Sequence, residues 1–480
     1  MNSLKKKTVH GVSWSVIDNI VSSGISFLVG IILARILSPV EFGILGMITV
    51  FIAVSNSIVD SGFSNALIRK TDAKDIDYNT VFYFNLILGF ILYIILFFCA
   101  PAISNFFHEP LLIPVTRVMG TVLFINAFSI IQRTLLVKIV DFKTQTKISF
   151  IASIASGIVG IGMAVKGMGV WSLVGQQVSR QLLNTIFLWV YSTWRPVLEF
   201  SRQSFKELFG FGSKLLVSGL IDTIYKNIYY LIIGKFYNAT QLGQYTRAEQ
   251  FNMVFSSNLT SVVQRVSYPV FSSIQDESER LKQAYRSVIK TTMLVTFACM
   301  LGLAAVAKPL ILIMIGEKWL PAVVFIQIIC FAGMLYPLHA INLNMLQVKG
   351  RSDLFLKLEI IKKTIAVVPI SLGVFYGIEF MLWGSVFTSF VAYFLNSHYS
   401  SKLVDYSSWS QIKDIFPTFV VSFIVAAIMW GITLLNYSIW VTLPVQLGIG
   451  LILGIIIYES IKLPEYLELK EIALSVIKRK

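Results

Sequence analysis

Residues Phe209–Ile233 read FGFGSKLLVSGLIDTIYKNIYYLII, a run of roughly the 20 or more apolar residues that a helix needs to cross about 30 Å of hydrocarbon. Asp222 and Lys226 lie near its middle. An acid or a base inside a membrane helix costs roughly 2.5–3.5 kcal/mol on insertion scales, so such residues face water, a partner or a substrate. Spacing of four puts the two on one helix face, where they can pair. A greasy segment that keeps this pair predicts a protein that moves something polar through its interior.

The surrounding chain agrees with that reading. Its 480 residues are 56% hydrophobic and 14% charged, against about 25% charged in soluble proteins. Apolar runs recur along the whole length and are continuous rather than alternating, which predicts an all-α polytopic membrane protein and not a β-barrel. Cys99, Cys299 and Cys330 fall within or beside apolar runs with no metal-site spacing, so they read as packed, reduced thiols. Lys5–Lys7 followed by an apolar stretch imitates a signal peptide. That stretch is long, contains Asp18 and Asn19 and lacks a small-x-small cleavage site, so it reads as a retained first helix.

Apolar runs between charged breaks predict about fourteen transmembrane helices. The first six lie near 11–34, 42–66, 79–104, 112–136, 147–166 and 169–194. Six more lie near 209–233, 246–268, 287–307, 321–347, 355–376 and 380–402, and the last two near 415–435 and 438–459. With the N-terminus in the cytoplasm, 30 of the 40 basic residues fall on inside loops and flanks. Outside there are seven, Arg35, Arg117, Lys166, Lys235, Arg247, Lys308 and Lys318; Arg180, Lys226 and Arg265 lie within spans. That asymmetry predicts both termini inside. The net charge of +15 is thereby topological, with attraction to anionic headgroups, and not a nucleic-acid footprint. The longest loops, near 195–208 and 271–286, are predicted to be cytoplasmic, and there is no soluble domain or Walker motif.

An internal repeat appears at an offset of 200. Arg35-Ile36-Leu37-Ser38-Pro39-Val40-Glu41-Phe42-Gly43 lies over Lys235-Phe236-Tyr237-Asn238-Ala239-Thr240-Gln241-Leu242-Gly243. Polar stripes follow it: Asp18, Ser22 and Ser26 against Ser218, Asp222 and Lys226, and Asn56, Asp60 and Ser64 against Ser256, Thr260 and Gln264. Spacing of four keeps each set on one face. Two six-helix lobes of like orientation are expected, 1–200 and 201–405, around a central cavity, with 406–480 adding two helices and a cytoplasmic tail. Small and hydroxylated residues also let helices pack closely; Asp18, Asp60, Asp222, Lys226 and Arg180 are not explained that way, although Asp222–Lys226 can also be a structural pair.

The stretch Leu33-Ala34-Arg35-Ile36-Leu37-Ser38-Pro39-Val40-Glu41-Phe42-Gly43 resembles the signature of polysaccharide flippases of the multidrug/oligosaccharidyl-lipid/polysaccharide exporter superfamily. Asp60-Ser61-Gly62-Phe63-Ser64-Asn65-Ala66-Leu67-Ile68-Arg69 is similar to that family's ending of the second helix. Further matches are Leu242-Gly243-Gln244-Tyr245-Thr246-Arg247-Ala248, Tyr268-Pro269-Val270-Phe271-Ser272 and Gly350-Arg351-Ser352-Asp353. The order and spacing resemble the colanic-acid-exporter branch of Wzx-type flippases over essentially the whole chain. The resemblance implies a bacterial inner-membrane protein that flips an undecaprenyl-diphosphate-linked oligosaccharide from the cytoplasmic to the periplasmic leaflet. Capsule, exopolysaccharide or lipopolysaccharide synthesis follows, beside the polymerase machinery. Alternating access and an ion gradient, of protons or sodium, are implied too, with no cofactor.

For such a cargo, Lys226, Arg180 and Arg265 within spans, and Arg35, Lys235 and Arg247 at the outside mouth, are the candidates for the diphosphate, since their N–H groups make charge-assisted hydrogen bonds to phosphate oxygens. Asp18, Asp60 and Asp222 are candidates for coupling, because a carboxylate that changes protonation biases a two-state equilibrium. Tyr225, Tyr229 and Tyr230 are placed to stack on sugars or to anchor the helix; three nearly consecutive tyrosines cannot all face a lumen. Gly350-Arg351-Ser352-Asp353 is expected to be a tight inside turn. Rival readings are an exporter of drugs or of the peptidoglycan lipid precursor on the same fold, and a membrane polymerase or ligase. The Lys/Arg balance speaks against a cationic cargo. His10, His108, His339 and His398 form no evident catalytic constellation and no long outside loop is expected.

Overall fold

The computed structural model is described over residues 21–60, 62–435 and 437–478, and within that range it consists of helices and short turns, with no strand. The chain forms α1 (Val21–Ile36), α2 (Pro39–Asp60), α3 (Phe63–Arg69), α4 (Asp75–Phe107), α5 (Leu112–Ala127) and α6 (Ile130–Lys138). Next come α7 (Phe142–Val165), α8 (Val170–Tyr191), α9 (Arg202–Phe236), α10 (Ala239–Ser273), α11 (Ser278–Met314) and α12 (Ala322–Gly333). The rest are α13 (Tyr336–Val348), α14 (Ser352–Tyr376), α15 (Ile378–Val404), α16 (Ser408–Ile432), α17 (Ile439–Ile461) and α18 (Pro464–Lys478).

Among the described residues, each apolar run coincides with a helix or a broken helix. Among the described residues nine helical segments are long and apolar enough to cross a membrane, or ten with the bent pair α5/α6 taken as one. The protein is therefore a multi-pass membrane protein. The full set of fourteen crossings, which also enlists the more polar α8, α10 and α14 and the partly described α1, remains a proposal.

Helices run further than hydropathy predicts. The loops expected near 195–208 and 271–286 shrink, because α9 begins at Arg202 and α11 at Ser278. Lys, Arg, Glu and Gln are good helix formers, so a charge marks the edge of the hydrocarbon and not the end of the helix. Side chains set the true ends: Asp141 accepts from Thr144 N (3.1 Å), Ser201 from Ser204 N (3.2 Å) and Ser407 from Ser410 N (3.1 Å), each satisfying an orphan first-turn donor. The run expected as one helix over 42–66 breaks after Asp60, where Gly62 adopts φ 70° and a Cβ would lie 2.6 Å from Gly212 O.

The chain divides into two compact units, Met1–Thr246 and Arg247–Lys480. In the first, α4 lies along α5, α7 along α8, and α9 along α2, with its N-terminal part on α3 and α4. In the second, α11 packs on α12, α16 and α17, and α14 on α15. The repeat places α9 first in a second lobe, yet α9 packs with the first unit; the lobe boundaries stay a proposal.

The repeat itself is visible in the helix ends. α1 and α9 stop at Ile36 and Phe236, and α2 and α10 start at Pro39 and Ala239. Each second helix opens on a local cap: Ser38 N donates to Glu41 Oε2 (2.9 Å) and Gln241 N to Asn238 Oδ1 (2.8 Å). The two openings then interlock reciprocally. A Cβ on Gly43 would stand 1.7 Å from Ala239 O, and one on Gly243 1.8 Å from Pro39 O. Only glycine permits backbones to meet so closely, and contact of i with j+200 matched by j with i+200 is the signature of a local two-fold. Broken helices recur too, since α5/α6 and α12/α13 each part at a two-residue gap.

Candidate functional site

The candidate site centres on α9. Its N-terminal turns are fixed where Phe205 and Phe209 lie 5.9 and 6.1 Å from the Phe63 ring, Arg69 sits 4.5 Å over Phe211, and Lys70 pairs with Glu207 at 3.0 Å. Its C-terminal turn is fixed as well: a Cβ on Gly234 would meet Phe107 and Met47 at 2.8 and 3.1 Å, and Lys235 Nζ donates to Phe106 O (2.6 Å). Between these anchors cover is thin, with 11% of the most apolar window buried.

In that stretch Lys226 Nζ lies 2.7 Å from Asp222 Oδ2, the side chains 72% and 43% exposed. A pair so exposed contributes at most about 1 kcal/mol to stability, less than the insertion cost of either residue. Stability therefore does not account for it. The exposed ammonium and carboxylate offer charge-assisted hydrogen bonds to a polar ligand from a helix held at both ends.

The other predicted residues are distributed as follows. Arg180, half-buried on α8, donates to Ser26 Oγ at 3.0 Å and so joins the polar stripe of α1. Lys235 is fastened to a last-turn carbonyl of α4, that of Phe106, near the ring of the same residue (4.6 Å). Asp60 ends α2 and accepts from Ser64 Oγ (2.5 Å), bridging the break to α3. Arg35 is exposed in the last turn of α1, while Arg247 and Arg265 are half-buried on the part of α10 that belongs to the second unit. Tyr229 stacks on Tyr245 (6.0 Å, 15°) and Tyr230 meets it edge-on (5.6 Å), so both serve the α9–α10 junction; Tyr225 is half-buried. Asp18 lies outside the described residues. Gly350 takes φ 69° and Arg351 clasps Asp353 with two hydrogen bonds (2.9 and 2.8 Å) at a tight turn, holding that carboxyl down at about 2.

Some polar features escaped the sequence reading. Asn126 Nδ2 donates to Asn56 Oδ1 (3.0 Å), and Gln181 Nε2 donates to Asn126 Oδ1 (3.1 Å). These carboxamides converge on the 43° bend between α5 and α6, next in sequence to Arg180. Asn126 and Ser129 inside an apolar run were the available signal. In the second unit, Tyr285 OH donates to Asn342 Oδ1 (2.8 Å) and so does Ser400 Oγ (2.6 Å), all buried. Nearby on α11, Lys282, Arg286 and Lys290 pair with Asp405, Asp414 and Glu465, tying the α15–α16 connection, α16 and α18 to one helix.

The second unit also carries an apolar slot of about 330 Å³ between α11, α16 and α17. Cys299, Gly302, Leu447, Gly450 and Gly454 are among its lining residues, and the Ser422–Tyr458 hydrogen bond (2.7 Å) satisfies two of its few polar atoms. Gly302 and Gly454 leave open space there, with nothing within 4 Å of a Cβ, whereas Gly450 is packed on Met429. No group of three or more His, Cys, Asp or Glu able to hold a metal occurs among the described residues.

Residues 32–324 match the family described as polysaccharide biosynthesis protein. Among curated relatives, the lipopolysaccharide biosynthesis protein WzxC of Escherichia coli is 25% identical over 447 residues, covering 89% of each chain. The teichuronic acid biosynthesis protein TuaB of Bacillus subtilis is 27% identical over 357 residues, 74% of each. The succinoglycan biosynthesis transport protein ExoT of Rhizobium meliloti is 26% identical over 314 residues, covering 65% of this chain and 64% of that one. Among solved structures, the lipid II flippase MurJ in an inward closed conformation superposes with TM-score 0.75 at 14% identity over 94% of this chain and 99% of its own. An inward-facing multidrug resistance transporter of the MATE family gives 0.63 at 16% identity, over 79% and 95%.

Proposed function

Because the chain belongs to the polysaccharide biosynthesis protein family, we propose that it is a flippase that carries a polyprenyl-diphosphate-linked oligosaccharide repeat unit from the cytoplasmic to the periplasmic leaflet. The fold is that of the exporter superfamily containing MurJ and the MATE transporters, and relatives are named for polysaccharide biosynthesis and transport.

One observation on this chain carries the reading. Asp222 and Lys226 stand exposed at the middle of a membrane-length helix where their stabilising effect does not offset their insertion cost. In this reading Lys226, with Arg180 at the first unit's polar bend, neutralises the diphosphate, and Asp222 changes its hold on Lys226 when protonated or ion-bound. Arg265, Arg35, Lys235 and Arg247 are further phosphate candidates, Asp18 and Asp60 further coupling acids, and Tyr225 and Tyr229 the proposed sugar contacts, Tyr229 being shared with the packing of Tyr245. The apolar slot beside α17 supports the same cargo, since a prenyl tail needs a methylene-lined path open to lipid. The inner membrane, cytoplasmic termini, a proton or sodium gradient and a neighbouring polymerase complete the proposal.

The test is leaflet access of the lipid-linked sugar. In cells deleted for this chain but able to synthesise the repeat unit, the unit is expected to accumulate out of reach of an externally added lectin after outer-layer permeabilisation, and re-expression restores access. Undiminished access in the deletion rejects the flippase reading. Transfer of sugar by the purified protein favours the enzyme alternative, and unchanged lipid-linked pools with altered drug tolerance favour an exporter of another cargo.

A further inference from the structure

A second cavity, of about 420 Å³, opens on the Arg247–Lys480 unit between α11, α12, α15 and α16. Its floor includes Ala305 and Ala426, its walls Trp383 and Trp430, and its polar lining is Gln327 and Glu379. Gln327 Nε2 already donates to Ala304 O (3.2 Å). Glu379 is the one charged residue of the lining, is exposed, and enters none of the ion pairs among the described residues.

Position decides what such a cavity meets. Glu379 and Trp383 occupy the first two turns of α15, Trp430 the last turn of α16, Tyr376 the end of α14 and Trp440 the start of α17. Aromatic side chains gathered at helix ends mark the level of the lipid headgroups. A first-turn acid is favoured by the helix dipole wherever it occurs, and interfacial tryptophans are common. Here, however, both kinds of group line one hollow whose remaining lining, Gln327 apart, is apolar. A carboxylate that shares a hollow with two indoles selects an ammonium group, by charge and by cation–π attraction, and repels a phosphate with no cation beside it. The alanine floor accommodates acyl methylenes.

We infer that this cavity binds a phospholipid with an ammonium headgroup, the ammonium seated against Glu379, Trp383 and Trp430 and an acyl chain laid along the alanine floor. The site is separate from the slot beside α17, although Ala426 borders both, and it does not rest on the transport reading. Such a lipid acts as a fixed wedge between α15 and α16.

Native mass spectrometry of the purified full-length protein in mild detergent tests this, using phosphatidylethanolamine, phosphatidylcholine and phosphatidylglycerol of matched acyl chains. Both ammonium lipids are expected to be retained about fivefold better than phosphatidylglycerol, the factor a single partly exposed ion pair of about 1 kcal/mol gives. Glu379→Gln removes the preference without lowering phosphatidylglycerol retention, and Glu379→Lys reverses it, an outcome that misfolding cannot imitate. Equal retention of the three lipids by the native protein, or an unaltered preference in Glu379→Gln, overturns the assignment.

Discussion

Replacing Gly43 by alanine tests the reciprocal crossing at the start of α2 and α10. The new Cβ would stand 1.7 Å from Ala239 O, 2.5 Å from its carbonyl carbon and 2.8 Å from its Cα. Ordinary van der Waals approach of a Cβ begins near 3.4 Å, so the two helix openings must part by about 1.7 Å, and backbone atoms offer no rotamer to relieve it. Parting also loosens Gly46 from Leu242, now 3.2 Å from a Cβ built there. Overpacking costs about 1–3 kcal/mol, and a backbone clash belongs at the upper end. At about 2–4 °C per kcal/mol for a unit of this size, the melting midpoint drops by about 6–12 °C. Gly243→Ala faces Pro39 O at 1.8 Å and is expected to cost the same.

The double variant is the sharper measurement. Once one methyl has forced the openings apart, the second enters space already made, so the double loss falls short of the sum by about 1 kcal/mol or more. Gly162→Ala is the control, a helical glycine with nothing within 4 Å, where alanine is neutral or stabilising by up to about 1 kcal/mol. Heating detergent-purified aliquots and measuring the monodisperse fraction by size exclusion gives each midpoint. A Gly43→Ala midpoint equal to that of Gly162→Ala, or strictly additive losses, refutes the reasoning.

Other outcomes follow from the sites. Lys226→Ala is expected to abolish export while membrane levels of the protein hold, and full complementation of a deletion strain by that variant excludes the diphosphate role of Lys226. Gly454→Phe puts a ring into the apolar slot at a position with nothing within 4 Å; transport of lipid-linked sugar should drop severalfold with an unchanged melting midpoint, and unaltered transport removes the slot from the cargo path. Arg286→Ala breaks two hydrogen bonds to Asp414 (2.5 and 2.7 Å) and leaves that mostly buried carboxylate with the Tyr406 OH hydrogen bond and the more distant charge of Lys290. Because Arg286 itself is half exposed, the loss is about 1–2 kcal/mol, and adding Asp414→Asn should restore part of it in thermal unfolding.

The helices were legible because hydrocarbon thickness imposes a run length that a single sequence displays directly. The repeat was legible for a different reason: Ser38–Glu41 and Asn238–Gln241 are local caps, and local chemistry survives in a motif. The breaks after Asp60 and between α5 and α6 were hidden, because hydropathy averages over Gly62, Asn126 and Ser129 as if they were ordinary members of a run. The carboxamide cluster was hidden by distance along the chain, since Asn56, Asn126 and Gln181 lie on three helices and only folding reveals that they bond. Lys235 shows the opposite limit. Its sequence position marks a helix end correctly, yet nothing local says that the carbonyl of Phe106 is its acceptor.

Asp222 and Lys226 could be read as a pair from spacing alone, but spacing does not tell a buried lock from an exposed handle. The exposure of the pair favours the second, which is the reading proposed above. A lock would require cover, and the cover of α9 is concentrated at its ends, on Phe63, Arg69 and Lys70 at one and on Phe107 and Met47 at the other. Rigid ends with a thin middle place the charges where a ligand can reach them while the helix that bears them stays fixed to α2. That combination leaves a charged pair exposed at little gain to stability, which supports the proposed transport role over a packing role. It follows that changes in the anchors, such as Phe205→Ala, should lower melting and export together, whereas changes at Lys226 should lower export alone.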